Sequence, residues 1–126
     1  MSSGGYVRYA LDTPELVLRD WFRNQADRRD MPVTDDGNGN LFAWWGTKWG
    51  HGTVVTGSHF DSVPHGGGYD GPLGIVSAFL AVDRLRAQGV IPARPIGAIS
   101  AQSCTKLAVI YFSCMGMCTP AAAADS

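Results

Sequence analysis

Hydrophobic residues recur at helical spacing in the first quarter of the chain. Thr13 and Pro14 suit the cap and the first position of a helix, and Glu15 places a negative charge in its first turn. The pattern predicts a helix that runs to about Arg28. Its apolar stripe consists of Leu16, Val17, Trp21 and Phe22.

Short apolar runs alternate with turn signals in the middle of the chain. Strands are predicted near Met31–Thr34 and at Leu41–Trp45, and the run Asp-Asp-Gly-Asn-Gly-Asn between them indicates a hairpin or a tight strand connection. The run Thr53–Ser58 is β-branched and apolar, which is typical of a strand buried on both faces of a mostly parallel sheet. His59 therefore lies at the carboxyl end of that strand.

A second helix is predicted from Pro72. Arg84 and Arg86 complement the dipole of its last turn, and Gly89 ends it. A further strand follows at about Pro95–Ala101, so the element order predicts an α/β fold with a mostly parallel, helix-flanked sheet. In such folds, ligands bind in the loops at the carboxyl ends of the strands. The apolar positions of the second helix are Leu73, Ile75, Val76, Phe79, Leu80 and Val82.

The composition is that of a globular protein. Of the 126 residues, 45% are hydrophobic and 17% are charged, and the formal net charge is -1. This balance excludes a disordered chain and does not favour a nucleic-acid partner. The sequence shows no signal-peptide pattern, and the apolar run Leu107–Cys118 is too short to cross a bilayer. We therefore expect a cytoplasmic protein with no membrane partner.

The candidate chemistry is concentrated in the loop before the second helix. His59 and Asp61 are two residues apart, so on an extended segment their side chains point the same way. Asp70 returns to the same region after the glycine-rich turn Gly66–Gly68. Imidazole and carboxylate groups suit zinc or a neighbouring transition metal, and a further carboxylate commonly orients a ligating histidine. Taken alone, however, such residues are also ordinary at a loop surface.

A longer string around these residues is more specific. Residues 57–74 read Gly-Ser-His-Phe-Asp-Ser-Val-Pro-His-Gly-Gly-Gly-Tyr-Asp-Gly-Pro-Leu-Gly. This string resembles the signature of the zinc-dependent peptidases and amidohydrolases, a superfamily that includes aminoacylases and carboxypeptidases. Within it, the chain is most similar to the branch of N-carbamoyl-L-amino-acid hydrolases and allantoate amidohydrolases. The resemblance extends upstream to Arg8 and downstream to about Gly97, and it implies hydrolysis of linear amide or carbamoyl C–N bonds.

The resemblance also implies a role for each candidate residue. His59 would be a ligand of one metal, Asp70 the carboxylate that bridges two metals, and Asp61 the catalytic acid that orients a metal ligand. Two zinc ions, or manganese, cobalt or nickel in their place, would activate a water for attack on an amide or ureido carbon. The implied partners are a small N-carbamoyl or ureido substrate and a second subunit, held through a smaller dimerisation domain.

The chain departs from the family pattern after its last predicted strand. Members carry a Glu-Glu pair there, as general base and metal ligand, whereas this chain has Ser103-Cys104-Thr105. No glutamate follows Glu15, and no histidine follows His65. The family's remaining ligands, its substrate-carboxylate arginine and its dimerisation domain belong to segments further downstream.

These features divide the chain into two parts. Residues 1–101 are predicted to form the amino-terminal portion of the catalytic domain of a metal-dependent hydrolase. Residues 102–126 are an atypical tail, which we interpret as the product of a frameshift or a truncation. The alternative to a hydrolase is an inactive remnant, or a weak metal-binding or interaction module without catalysis.

Other groups in the sequence have simpler interpretations. His51 and His65 could serve as ligands, but solvent-exposed loop positions suit them better. The glycine-rich run before the second helix could cradle phosphate, yet it lacks the spacing of a phosphate-binding loop. Trp44, Trp45 and Trp49 could stack on a ligand, but the run Leu41–Trp45 alternates as in a strand that packs one face, which favours a core role.

Overall fold

The computed structural model describes residues 4–46 and 52–102. Trp49, His51 and the tail from Ser103 onward lie outside the described residues. Neither helix in the described ranges is long and apolar enough to cross a membrane. The elements are α1 (Thr13–Asp27), β1 (Val33–Asp35), β2 (Leu41–Trp45), β3 (Val54–His59), α2 (Pro72–Ala87) and β4 (Ile96–Ala101).

The four described strands form one sheet in the order β1-β2-β4-β3. The predicted α/β class is confirmed, but the pairing is mixed rather than mostly parallel. β1 pairs with β2 and β2 with β4 in antiparallel fashion, and β3 pairs with β4 in parallel. The reason lies in the connections, because among the described elements only α2 crosses between parallel strands, whereas a hairpin turn folds β2 back onto β1.

The predicted hairpin is confirmed, and its turn is organised by Asp36. The Asp36 carboxylate accepts the backbone N–H groups of Asn38 and Asn40 at 2.8 and 3.1 Å and the side-chain amide of Asn40 at 2.6 Å. Burial raises the pKa of Asp36, but these hydrogen bonds outweigh it and bring the pKa below its ordinary value. The Asn40 side chain in turn accepts the Gln102 N–H at 2.9 Å, which ties the turn to the end of β4.

The predicted apolar stripe of α1 is wrong apart from Phe22. Phe22 is fully buried, whereas Val17 is 62% exposed and Leu16 is 45% exposed. Trp21 lies at the margin of the core, where its ring and the Phe60 ring are nearly perpendicular, with their centroids 6.2 Å apart. The face that α1 buries consists of Glu15, Arg19, Phe22 and Ala26.

Two charged residues occupy this buried face because they hold α1 to other segments. Glu15 accepts the Leu11 N–H at 3.1 Å, and Arg19 lies 3.6 Å from the Glu15 carboxylate. Arg19 also donates to the carbonyl oxygen of Gly39 at 2.7 Å. A buried charge is stable only when it is paired or hydrogen-bonded, so these contacts explain why apolar periodicity identified the wrong face.

Both helices pack on the same face of the sheet. Ile75 and Phe79 of α2 share one core with Phe22 of α1. Half of the predicted apolar positions of α2 are nevertheless exposed, namely Leu73, Val76 and Leu80. At the helix ends, Arg29 donates to both carboxylate oxygens of Asp83 at 2.8 and 2.7 Å. The main core contains Phe22, Ala26, Met31, Leu41, Ala43, Phe60, Ile75, Ala78, Phe79, Val82 and Ala98.

The opposite face of the sheet carries a smaller cluster of Phe42, Trp44, Ile99 and Ala101. The rings of Phe42 and Trp44 are stacked with their centroids 5.5 Å apart, and the Trp44 indole N–H donates to Thr34 at 2.8 Å. Trp44 is therefore a core residue, as predicted. The expectation that its strand packs only one face is wrong, because Leu41 and Ala43 of β2 are buried in the main core and Phe42 and Trp44 in the smaller cluster.

The prediction that β3 is buried on both faces is wrong. Val54 is 40% exposed, and Thr56 is also exposed. β3 lies at the end of the described strand order, and α2 approaches it closely near its carboxyl end, where a Cβ atom on Gly74 would lie 2.6 Å from that of Ser58. The protected part of the strand is therefore the part that leads into His59.

Candidate functional site

His59 lies at the carboxyl end of β3, where the pattern placed it. It pairs in register with Ala101, the last residue of β4, and its side chain is buried. The site is therefore built where two neighbouring parallel strands end, which is the usual ligand position of an α/β fold.

His59 and Asp61 form a buried pair. The Nδ1 atom of His59 lies 3.0 Å from the Asp61 carboxylate and 2.9 Å from the Asp61 carbonyl oxygen. Both neighbours accept hydrogen bonds, so Nδ1 carries the proton and, in a neutral ring, Nε2 keeps a free lone pair. This is the arrangement in which a carboxylate orients a histidine for binding a metal through its other nitrogen.

Asp70 reaches the same loop by a different route. Its N–H donates to Gly67 at 3.2 Å, and its side chain is exposed in the turn before α2. The next residue, Gly71, has a φ of +87° and lies against His59, since a Cβ atom there would be 2.7 Å from Nδ1. A residue without a side chain is required at this approach.

The predicted residues are thus only partly assembled. His59 and Asp61 are in direct contact, and Asp70 is brought to the same loop by the glycine-rich turn. Within residues 4–46 and 52–102, no group of three His, Cys, Asp or Glu side chains is arranged to hold a metal ion. The donor chemistry of His59 and Asp70 fits a divalent transition metal, but it supplies two ligands where a catalytic zinc ion commonly has three from the protein.

The glycine-rich loop is closed by its own hydrogen bonds. The Gly66 N–H lies 2.9 Å from the carbonyl oxygen of Val63 and 3.1 Å from that of Tyr6, and the Asp70 N–H is directed at Gly67. These amides are therefore not presented to an anion, and the phosphate-cradle interpretation receives no support. His65 is exposed, as predicted, and has a φ of +62°.

Arg8 is a further element of the site, and its sequence context predicts no role for it. Arg8 is buried and donates through Nε to the carbonyl oxygen of Phe60 at 2.9 Å. Phe60 lies between His59 and Asp61, so Arg8 contacts the backbone that joins the buried pair. No local pattern signals this contact, because Arg8 and Phe60 are 52 positions apart.

Comparisons with known proteins point to one group of enzymes. The chain is 32% identical over 113 residues to the ureidoglycolate hydrolase of Oryza sativa subsp. japonica, which covers 87% of this chain and 23% of that protein. It is 32% identical over 99 residues to the N-carbamoyl-L-amino acid amidohydrolase of Geobacillus stearothermophilus, covering 78% and 24%. No protein-family model matches the chain.

Solved structures with a similar fold come from the same group of enzymes. The crystal structure of an amidase of the hydantoinase/carbamoylase family from Burkholderia vietnamiensis matches with a TM-score of 0.70 and 31% identity. The match covers 79% of this chain and 24% of that chain. The chain thus spans about a quarter of the length of the proteins it matches.

Proposed function

Because the chain belongs to the amidohydrolase family of ureidoglycolate hydrolase and N-carbamoyl-L-amino acid amidohydrolase, we propose that it forms the amino-terminal part of a metal-dependent hydrolase. Its bond class would be the linear amide or carbamoyl C–N bond, and its substrate a small molecule with a ureido or carbamoyl group. The observation that carries the proposal is the buried contact between His59 and Asp61 at the end of β3.

The proposed roles follow from the geometry of this contact. Asp61 holds the proton of His59 on Nδ1, which directs Nε2 away from the pair as the ligand atom. Asp70, in the turn before α2, would supply a carboxylate as the second ligand. Zinc is the proposed ion, and manganese, cobalt or nickel would accept the same donors. A divalent metal, when bound, supplies Lewis-acid polarisation of the scissile carbonyl.

The described residues contribute binding and orientation rather than proton transfer. Glu15 is the single glutamate of the chain, and it is fully buried against Leu11 and Arg19, on the helix rather than in the loop. A general base must come within hydrogen-bond reach of the reacting groups. We therefore propose that the base and the further ligands belong to segments beyond the described residues.

A second candidate function is weak metal binding without catalysis. It is favoured by the lack, within the two described ranges, of a third ligand beside His59 and Asp70. Both candidates predict that a metal binds in the loop, and they differ in turnover.

The test combines both readouts on the full chain. Binding of Co²⁺ is followed by its visible absorption, and ammonia release from an N-carbamoyl-amino acid is measured with Zn²⁺, Mn²⁺ or Co²⁺ present. Asp70→Asn should weaken Co²⁺ binding, because it removes the charge of one of the two ligands. The control Asp20→Asn alters an exposed carboxylate that pairs with Arg23 and should bind as the wild type does.

Each outcome has one meaning. Turnover that is lost in Asp70→Asn supports the hydrolase. Binding that depends on Asp70 without turnover supports the second candidate for this chain. Binding that is equal in Asp70→Asn and in the control contradicts both.

A further inference from the structure

We propose that Arg8 is a positioning residue for the candidate metal ligands, fixing the backbone between His59 and Asp61 in the conformation that lets one side chain orient the other. The inference rests on the proposed function, because the ligand roles of His59 and Asp70 belong to it. Arg8 lies near the start of the chain, outside the loop that carries those ligands.

Phe60, the residue between the two side chains, is held both at its ring and at its carbonyl oxygen. The Phe60 ring is buried in the main core, nearly perpendicular to the rings of Phe22 and Trp21, with centroid distances of 6.5 and 6.2 Å. The Phe60 carbonyl oxygen accepts the Nε–H of Arg8 at 2.9 Å. The ring and the carbonyl group are thus fixed by different partners, and the peptide that leads into Asp61 has little freedom to rotate.

The main chain of Arg8 holds the next part of the loop. Its N–H donates to the Ser62 hydroxyl at 3.0 Å, and its carbonyl oxygen accepts the Ser62 N–H at 2.8 Å. Two residues earlier, Tyr6 exchanges backbone hydrogen bonds with Gly66 at 2.9 and 3.1 Å. The segment Tyr6–Arg8 therefore lies along the loop between Asp61 and Asp70 and fixes its path.

The guanidinium group itself points to a specific role. Arg8 is 8% exposed and lies over the Tyr6 ring, with its Cζ 5.1 Å from the ring centroid. Its Nη2 atom is buried and has no hydrogen-bond partner among the described residues. If Arg8 served packing alone, an apolar side chain of similar volume would stabilise the fold better, because it avoids the cost of desolvating a buried charge. Its Nε contact to the backbone beside the ligands gives a reason for its presence.

The test compares two conservative substitutions of buried arginines in the full chain. Arg8→Lys keeps the charge but loses the planar group that both stacks on Tyr6 and donates through Nε. Arg19→Lys is the matched control, since Arg19 is also buried but contacts Gly39 and Glu15 rather than the loop. Zn²⁺ affinity is measured by competition with a chromophoric chelator, and folding is checked by thermal unfolding.

We expect Arg8→Lys to weaken Zn²⁺ binding about tenfold, the size of effect seen when partners behind metal ligands are altered. Arg19→Lys should lower the melting temperature without changing the affinity. Ser62→Ala, which removes the hydroxyl that accepts the Arg8 N–H, serves as a second variant and should shift affinity in the same direction. Equal Zn²⁺ affinity in Arg8→Lys and Arg19→Lys would overturn the proposal.

Amide hydrogen exchange separates this inference from the proposed function. Exchange at the Ser62 and Gly66 N–H groups should accelerate about tenfold in Arg8→Lys, the equivalent of one hydrogen bond to a charged group, and not in Arg19→Lys. If the wild type fails to bind Zn²⁺ while the exchange effect is present, the metal roles fail and Arg8 stands as the residue that positions the loop. Unchanged exchange overturns the inference whatever the metal result.

Discussion

At the scale of the residue, the site depends on a few side chains whose atoms have specific partners. The His59 Nδ1 atom faces two oxygens of Asp61, and the carbonyl group between the two residues is held by Arg8. Each contact limits one rotation, so the direction of the free Nε2 atom is set before any ligand arrives. Preorganisation of this kind lowers the entropic cost of binding.

Backbone strain at His65 gives a prediction at the same scale. His65 adopts a φ of +62°, a region that costs an ordinary residue about 1 kcal/mol more than glycine. We predict that His65→Gly has a free energy of unfolding about 1 kcal/mol higher than His65→Ala, in urea denaturation at neutral pH.

The comparison with alanine isolates the backbone effect. Both variants lose the imidazole and its contacts, and they differ only in the Cβ atom. A lower stability of His65→Gly than of His65→Ala would show that the loop is not held in this conformation in solution.

At the scale of the element, the sequence predicted much more about where elements lie than about which faces they bury. The bounds of β2 and α2 follow the turn residues before β2 and Pro72 at the start of α2, which are local and can be seen in the sequence. α1 begins close to where it was predicted, but the predicted cap is wrong, because Asp12 precedes the helix, Thr13 is its first residue and no side chain makes a capping hydrogen bond. The buried face of α1 depends on Arg19 reaching Gly39, 20 positions away, and periodicity carries no information on such a contact. The His59–Asp61 pair could be predicted because its members are two positions apart. The contact between Arg8 and Phe60 spans 52 positions and could not.

The β1–β2 hairpin carries a prediction on pH. The pKa of Asp36 lies below its ordinary value of 3.8, so the stabilisation by its ionised form is fully present above that value and is lost as the pH falls through the lowered pKa. We predict that Asp36→Ala is about 1 kcal/mol less stable than the wild type at pH 7. The difference should shrink as the pH falls below 3.8.

Urea denaturation of both proteins across pH 2 to 7 measures this difference, with pH values chosen to bracket the transition. Asp20→Ala is a suitable control, because Asp20 is exposed and pairs only with Arg23 among the contacts that the structure describes. A gap between Asp36→Ala and the wild type that stays constant with pH would contradict the assignment of the charge effect to Asp36.

In the molecule as a whole, the described helices and strands share buried cores, but α2 and β3 also leave apolar side chains exposed. α1 and α2 share one core over the sheet, yet α2 exposes Leu73, Val76 and Leu80, and β3 exposes Val54 at the end of the strand order. Exposed apolar residues beside an edge strand favour self-association.

We therefore predict that Leu80→Lys stays monomeric at higher concentrations than the wild type, as measured by light scattering after size exclusion. Ala81→Lys is the matched control, since it adds the same charge to an exposed position of α2 without removing a large apolar side chain. Identical association of the wild type, Leu80→Lys and Ala81→Lys would show that this face is not responsible.

We propose that His59 and Asp70 together hold a divalent metal in the loop between β3 and α2. The most direct test is a Mn²⁺ titration of the ¹⁵N-labelled full chain, in which paramagnetic broadening of amide signals locates the ion. We predict that broadening is centred on the segments around His59 and Asp70 and disappears in the double variant His59→Gln/Asp70→Asn. Broadening that is centred elsewhere, or that is unchanged in the double variant, would show that His59 and Asp70 do not bind the ion.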